Sequence, residues 1–236
     1  MLKVIPTISW SKAEDYFKTN WLQSEHFATM GMNGSGKSYF TTRLVEIIYK
    51  RNAYVCLLNS KPKDKTLDLY VKDFKFEYVK NIDRHNFYVP PRGIVIKPTA
   101  NNLEELRYLQ KIQFRKVINK IYNVGNWTIL FDEIRYLTQY LGMQELVSLF
   151  YTQARSSGIT IVGGTQRPYY APLEMYSESR HFVFFHDREK NNLKRISDMS
   201  SHVDKQELIT TIQQLKKYYF CYVNSDNGES FISKVG

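Results

Sequence analysis

Three short stretches hold side chains whose types and spacing could do chemistry. In the first, FATMGMNGSGKS (residues 27–38), Gly31-x4-Gly36-Lys37-Ser38 fits G-x-x-x-x-G-K-[ST], the phosphate-binding (Walker A) loop. Gly31, Gly34 and Gly36 let the backbone turn tightly, so that successive N–H groups from Gly31, Met32, Asn33, Gly34, Ser35 and Gly36 point inward as an anion nest. Lys37 would reach the β- and γ-phosphates as a point charge, and the Ser38 hydroxyl would hold Mg²⁺. The second stretch, WTILFDE (residues 127–133), is an apolar run closed by two acids. That is the expected partner of a phosphate loop, the Walker B pattern. Asp132 would bind Mg²⁺ directly or through water, and Glu133 would polarise a water for attack on the γ-phosphorus. The third, ITIVGGTQRPYYAP, places Gln166 at a strand tip, where its amide could hydrogen-bond the γ-phosphate or the attacking water.

These groups meet only if strands deliver them to one edge. His26–Met30 reads as a short buried strand before the loop, and SYFTTRLVEIIYKRN as a helix whose N-terminal dipole favours the same anion. AYVCLLN (53–59) is a continuous apolar run of the kind found in central parallel strands, and GIVIK (93–97), WTILF and ITIVG read likewise. The loop after the second strand, SKPKDKTLD, carries Lys61, Lys63 and Lys65 towards the carboxyl edge, against a nucleic acid, the nucleotide or solvent. RPYYAP joins Arg167 to Tyr169 and Tyr170 between prolines, a composition suited to a phosphate backbone, to stacking on bases, or to a stiff packed turn. The spacing predicts a core-facing helix from Leu103 to about Tyr122, with Leu103, Leu106, Leu109, Ile112, Val117 and Ile121 inward. A helix over 134–158 is expected to break near Gly142. HFVFFHD reads as a strand, Gln206–Leu215 as a helix, and the C-terminus as a hairpin around Asp226-Asn227-Gly228. Residues 1–25 read as a helical lead-in on the first strand, whereas 70–92 give no clear pattern.

Composition sets outer bounds. The 236 residues suit a single α/β domain: lead-in 1–25, nucleotide core 26–186, C-terminal helices and hairpin 187–236. No apolar run approaches the ~20 residues that span a bilayer, and the N-terminus lacks the pattern of a secretory signal, so a soluble protein is expected. Cys56 and Cys221 sit in apolar strands, as buried thiols in a reducing compartment do. A formal charge of +10 favours a polyanionic partner or reflects a lysine-rich surface selected for solubility.

Taken together, the loop, the Asp-Glu strand and QARSSGITIVGGTQRP resemble the FtsK–HerA superfamily of DNA-translocating ATPases, over roughly residues 26–186. The resemblance implies a RecA-like P-loop NTPase of the additional-strand, catalytic-Glu type, with ATP and Mg²⁺ as cofactors and double-stranded DNA as partner. It implies Lys37 and Ser38 as phosphate and Mg²⁺ ligands, Asp132 as metal-water acid, Glu133 as catalytic base and Gln166 as polar sensor. Arg155, in QARSSG, matches the arginine finger offered to a neighbouring subunit of a homo-oligomeric ring, expected to be a hexamer; Arg180 and Arg188 are rivals, and an ordinary helix-end Arg is the plainer reading. After the second strand the chain has Asn59-Ser60-Lys61-Pro62-Lys63 where family members often carry Asp-Pro-Lys. The bare motor size is similar to the genome-packaging ATPases of membrane-containing icosahedral viruses. That likeness implies work in the host cytoplasm or on the virion, against a capsid vertex or viral membrane protein. A conjugation-type or cellular DNA pump and a non-hydrolysing, nucleotide-gated scaffold are the alternatives.

Overall fold

In the computed structural model, which describes residues 5–51, 53–61, 71–87, 92–199 and 203–236, the apolar runs lie side by side in one sheet. Its strands are β1 (His26–Met30), β2 (Tyr54–Leu58), β3 (Glu77–Val79), β4 (Gly93–Ile96), β5 (Trp127–Phe131), β6 (Thr160–Thr165), β7 (Ser179–Phe185), β8 (Tyr219–Asn224) and β9 (Ser230–Lys234). The order across the sheet is β3-β4-β2-β5-β6-β1-β7-β8-β9. Every pairing from β3 through β7 is parallel, and β8 and β9 close the far side antiparallel as the expected hairpin. β1, β5 and β6 are buried along their whole length, because helices cover both faces.

On one face, α1 (Trp10–Asn20) and α2 (Lys37–Lys50) bury Phe17, Phe40 and Leu44 against Phe27 and Phe220. The lead-in packs as expected: the rings of Phe17 and Trp21 meet Phe27 edge-on at 5.7 and 5.1 Å. On the other face lie α3 (Leu103–Val124), α4 (Gln144–Ala154), the short α5 (Glu174–Ser177), α6 (Lys190–Met199) and α7 (Lys205–Gln214). α3 begins where Asn102 Oδ1 accepts the Glu105 N–H at 2.9 Å. Its inward face differs from expectation. Leu103 is 74% exposed, and the buried positions are Gln110, Gln113, Phe114, Val117, Ile118 and Ile121. The two glutamines face inward because backbone groups there need partners: Ile82 N–H donates to Gln113 Oε1 at 2.7 Å.

After β5 the chain makes a π-helical turn over Tyr136–Tyr140 and breaks at Gly142, whose φ of 61° suits glycine. β3 comes from the stretch without a clear pattern. Beyond β9, Thr7 bridges Ile232; Ile8 N–H donates to Ile232 O at 2.8 Å and Ile232 N–H to Pro6 O at 2.7 Å. Lys63 and Lys65 lie outside the described residues. No helix among the described residues is long and apolar enough to cross a membrane.

Candidate nucleotide site

Parallel strands bring their carboxyl ends to one rim, and sheet order decides which loops become neighbours there. The glycine loop leaves β1, Gln166 leaves β6 beside it, and Asp132 and Glu133 leave β5 one strand further. The additional strand between the loop strand and the acid strand is thus β6. Gly31 N–H donates to Thr165 O at 3.2 Å, tying the loop to the tip that carries Gln166. At Gly36 the chain turns left-handed (φ 117°) into α2, without a side-chain cap on the helix end. A Cβ there would press Phe185 and Tyr218 at 3.2 Å, and Tyr218 N–H donates to Ser35 O at 3.2 Å. The end of β7 and Tyr218, just before β8, therefore form the back wall of the loop.

The electrostatics are those of an anion site. Lys37 Nζ donates to the carbonyls of Gly31 and Met32, the latter at 2.9 Å. Burial lowers its pKa to about 8, against the opposing pull of Glu133, Asp132 and Asp187 and with help from Lys61. Glu133 accepts from Thr165 Oγ1 and from Gln166 N–H, both at 3.1 Å. Burial raises its pKa; those two bonds and Lys37 offset part of the effect. Asp132 Oδ2 pairs with Lys61 Nζ at 2.6 Å. The side chains fit a bound phosphate. Among the described residues, the buried Ser35 hydroxyl has no partner, the N-terminal end of α2 has no side-chain cap, and the hydrogen bonds of Lys37 Nζ go to carbonyls of its own loop. Ser38 and Asp132 are the oxygens that would hold Mg²⁺ beside the phosphates.

One acid at this rim escaped sequence reasoning. Asp187, just past β7, is wholly buried, and its charge reaches Lys37. It accepts from Glu189 N–H and Asn192 Nδ2, each at 2.9 Å. Its signal was present, since HFVFFHD, like WTILFDE, is an apolar strand closed by an acid.

The remaining candidates divide by rim. Arg155 is exposed in a 3₁₀ turn before β6, at the amino rim, and so lies across the sheet from its own loop. Arg180 is also at the amino rim, but is engaged by Glu25 and by Asp226, the latter at 2.9 Å. Arg188 is exposed on the carboxyl rim with the loop. In RPYYAP, Arg167 is exposed, as are Tyr169 (54%) and Tyr170 (41%). Tyr169 N–H donates to Asn192 Oδ1 at 3.3 Å, and Arg135 lies 4.6 Å over the Tyr170 ring.

No protein-family model matches the sequence, and no curated protein matches it. Among solved structures, the chain is similar to the genome-packaging NTPase B204 of Sulfolobus turreted icosahedral virus 2 in complex with ATP-gammaS. That match has 19% identity and a TM-score of 0.58, and covers 89% of this chain and 96% of that one. It is also similar to the bacterial conjugative coupling protein TrwB (11% identity, TM-score 0.71), over 100% of this chain and 93% of that one. A third neighbour is the pCW3 conjugation coupling protein TcpA with ATPgS (14%, 0.57), where the match covers 91% of this chain and 61% of that one. At such identities the likeness is one of fold, and the fold is that of the P-loop NTPases, shared with a viral genome-packaging NTPase and conjugation coupling proteins.

Proposed function

We propose that this chain is an ATPase that moves double-stranded DNA as a homo-oligomeric ring, a hexamer, and that its task is to package a viral genome into a capsid. The observation that carries the reading is the meeting of Lys37, Glu133 and the Gln166 tip on one rim, with Asp132 beside them. The backbone of residues 31–38 and Lys37 bind the triphosphate. Glu133, held by Thr165 and the Gln166 N–H, faces the loop as the base that takes a proton from the attacking water. Mg²⁺, held by Ser38 and Asp132, would supply charge neutralisation at the β- and γ-oxygens. The Gln166 side chain senses the γ-phosphate, and the loop that follows it carries Arg167, Tyr169 and Tyr170 for DNA-backbone contact, with Lys63 and Lys65 as a second basic set; Lys61, expected to join them, is instead held on Asp132 at the nucleotide site. Arg155, on the far rim, completes the site of an adjacent copy. A net charge of +10 suits sequence-independent contact with phosphates.

The test is phosphate release with and without duplex DNA. Stimulation by DNA is expected, and Glu133→Gln should lower turnover by about 10²–10⁴ while nucleotide still binds. Wild-type protein that binds ATP without turnover would leave the nucleotide-gated scaffold instead. A conjugation-type pump is favoured by one observation, the match to the coupling protein across all of this chain. Neighbouring genes separate the two: capsid genes support packaging, pilus or nuclease genes the pump.

A further inference from the structure

Lys61 is built into the site by the fold. β2 and β5 pair in register, Leu58 opposite Phe131, so the residues just beyond each strand are neighbours. Asn59 Oδ1 accepts the Lys61 N–H at 2.9 Å, turning the chain back towards β5. Gln110, buried on α3, grips the turn: its Nε2 donates to Asn59 O at 3.2 Å and Ser60 O at 3.3 Å. Its Oε1 accepts the Tyr136 hydroxyl at 2.6 Å, from the turn that follows Asp132 and Glu133. One glutamine thus fastens both loops and holds Lys61 Nζ 2.6 Å from Asp132 Oδ2.

We infer that Lys61 is a positioning residue for the metal-side acid: an internal counter-ion on Asp132 that an incoming divalent cation must displace. The inference rests on the nucleotide reading above. Two cations cannot share one carboxylate oxygen at contact distance without strong repulsion. Lys61 therefore keeps the Asp132 charge from repelling phosphates when no metal is present, and it raises the metal concentration needed once nucleotide arrives. A Lys61→Met variant separates these effects, because they move in opposite directions.

The experiment measures binding of a fluorescent, non-hydrolysable ATP analogue, in EDTA and across a Mg²⁺ titration. In Lys61→Met the half-saturating Mg²⁺ concentration should fall roughly fivefold, and binding in EDTA should weaken by a similar factor. Lys61→Arg, which keeps the charge, should follow the wild type. In an Asp132→Asn background, Lys61→Met should no longer lower the half-saturating Mg²⁺ concentration. Lys61→Gln repeats the measurement should the Met variant fail to fold. Unchanged Mg²⁺ dependence in folded Lys61→Met and Lys61→Gln would overturn the inference while leaving the nucleotide site intact. Wild-type protein that binds no analogue under any condition would overturn the nucleotide reading, and this inference with it.

Discussion

Lys37 carries a proton signature that a binding experiment can read. Burial holds it near a pKa of about 8, below its ordinary 10.5. Between those values the unfolded chain keeps a proton that the folded chain has released, so the contribution of Lys37 to stability rises with pH across that window. Triphosphate charge raises the pKa again, so nucleotide binding at about pH 8.5 should be accompanied by proton uptake. Calorimetry in buffers of different ionisation enthalpy would show it, and uptake no greater than that of the nucleotide alone would contradict the assignment. Lys37→Ala should lose both the uptake and the binding, with its circular dichroism unchanged. Glu133 shifts the other way. Burial raises its carboxyl, and the base must be ionised to accept a proton. The acid limb of hydrolysis should therefore lie above the ordinary carboxylate range. Both residues were legible from spacing alone, because a glycine loop and an acid-capped strand each leave a local signature. The Lys61–Asp132 pair was not legible, since it depends on which strands become neighbours in the sheet.

At the scale of elements, the lead-in helix is fastened to the sheet by a buried polar knot. Glu25 accepts the Leu22 N–H at 2.8 Å and pairs with Arg180 and with His181 Nε2, the latter at 3.0 Å. His181 Nδ1 reaches the Tyr222 hydroxyl at 2.7 Å, and its ring stacks on Phe27. Burial raises the Glu25 pKa, but the hydrogen bonds from His181 and Leu22 and the charges of His181 and Arg180 outweigh it, leaving it at about 2. A carboxylate depressed in this way contributes stability that is present above its ordinary 4.5 and is lost as pH falls towards 2. Glu25→Ala should cost roughly 1–3 kcal/mol in urea unfolding at neutral pH, because it leaves the buried His181 ring and the Leu22 N–H without their acceptor, while Arg180 keeps Asp226. A loss of a few tenths would mean that the knot is ornamental. The lead-in, the parallel strands and the hairpin could be read from runs and turn residues. The amino half of α3 could not. Periodicity counts apolar positions, whereas Gln110 and Gln113 are buried to satisfy backbone and hydroxyl partners supplied by distant loops. β3 is three residues long with two of them exposed, too little pattern to detect.

At the scale of the whole molecule, the proposed finger in trans would require opposite rims of adjacent copies to meet, since Arg155 is exposed on the rim opposite its own loop. Arg155→Ala should bind ATP yet hydrolyse it slowly, by about 10³-fold or more if it acts as a finger in trans. Mixing it with Glu133→Gln should restore part of the activity, because some interfaces then pair an intact base with an intact arginine. A mixture no more active than either variant alone would exclude the trans role. How such copies are held together follows from the seam between the lead-in and the last strand. Ile232 in β9 already spends its outward amide and carbonyl on Pro6 and Ile8. A neighbour therefore finds the middle of this edge already taken, which keeps it from adding a strand along β9. Copies that met at this seam would be joined there by side chains, so that changing salt or nucleotide could loosen the contact without unzipping a backbone.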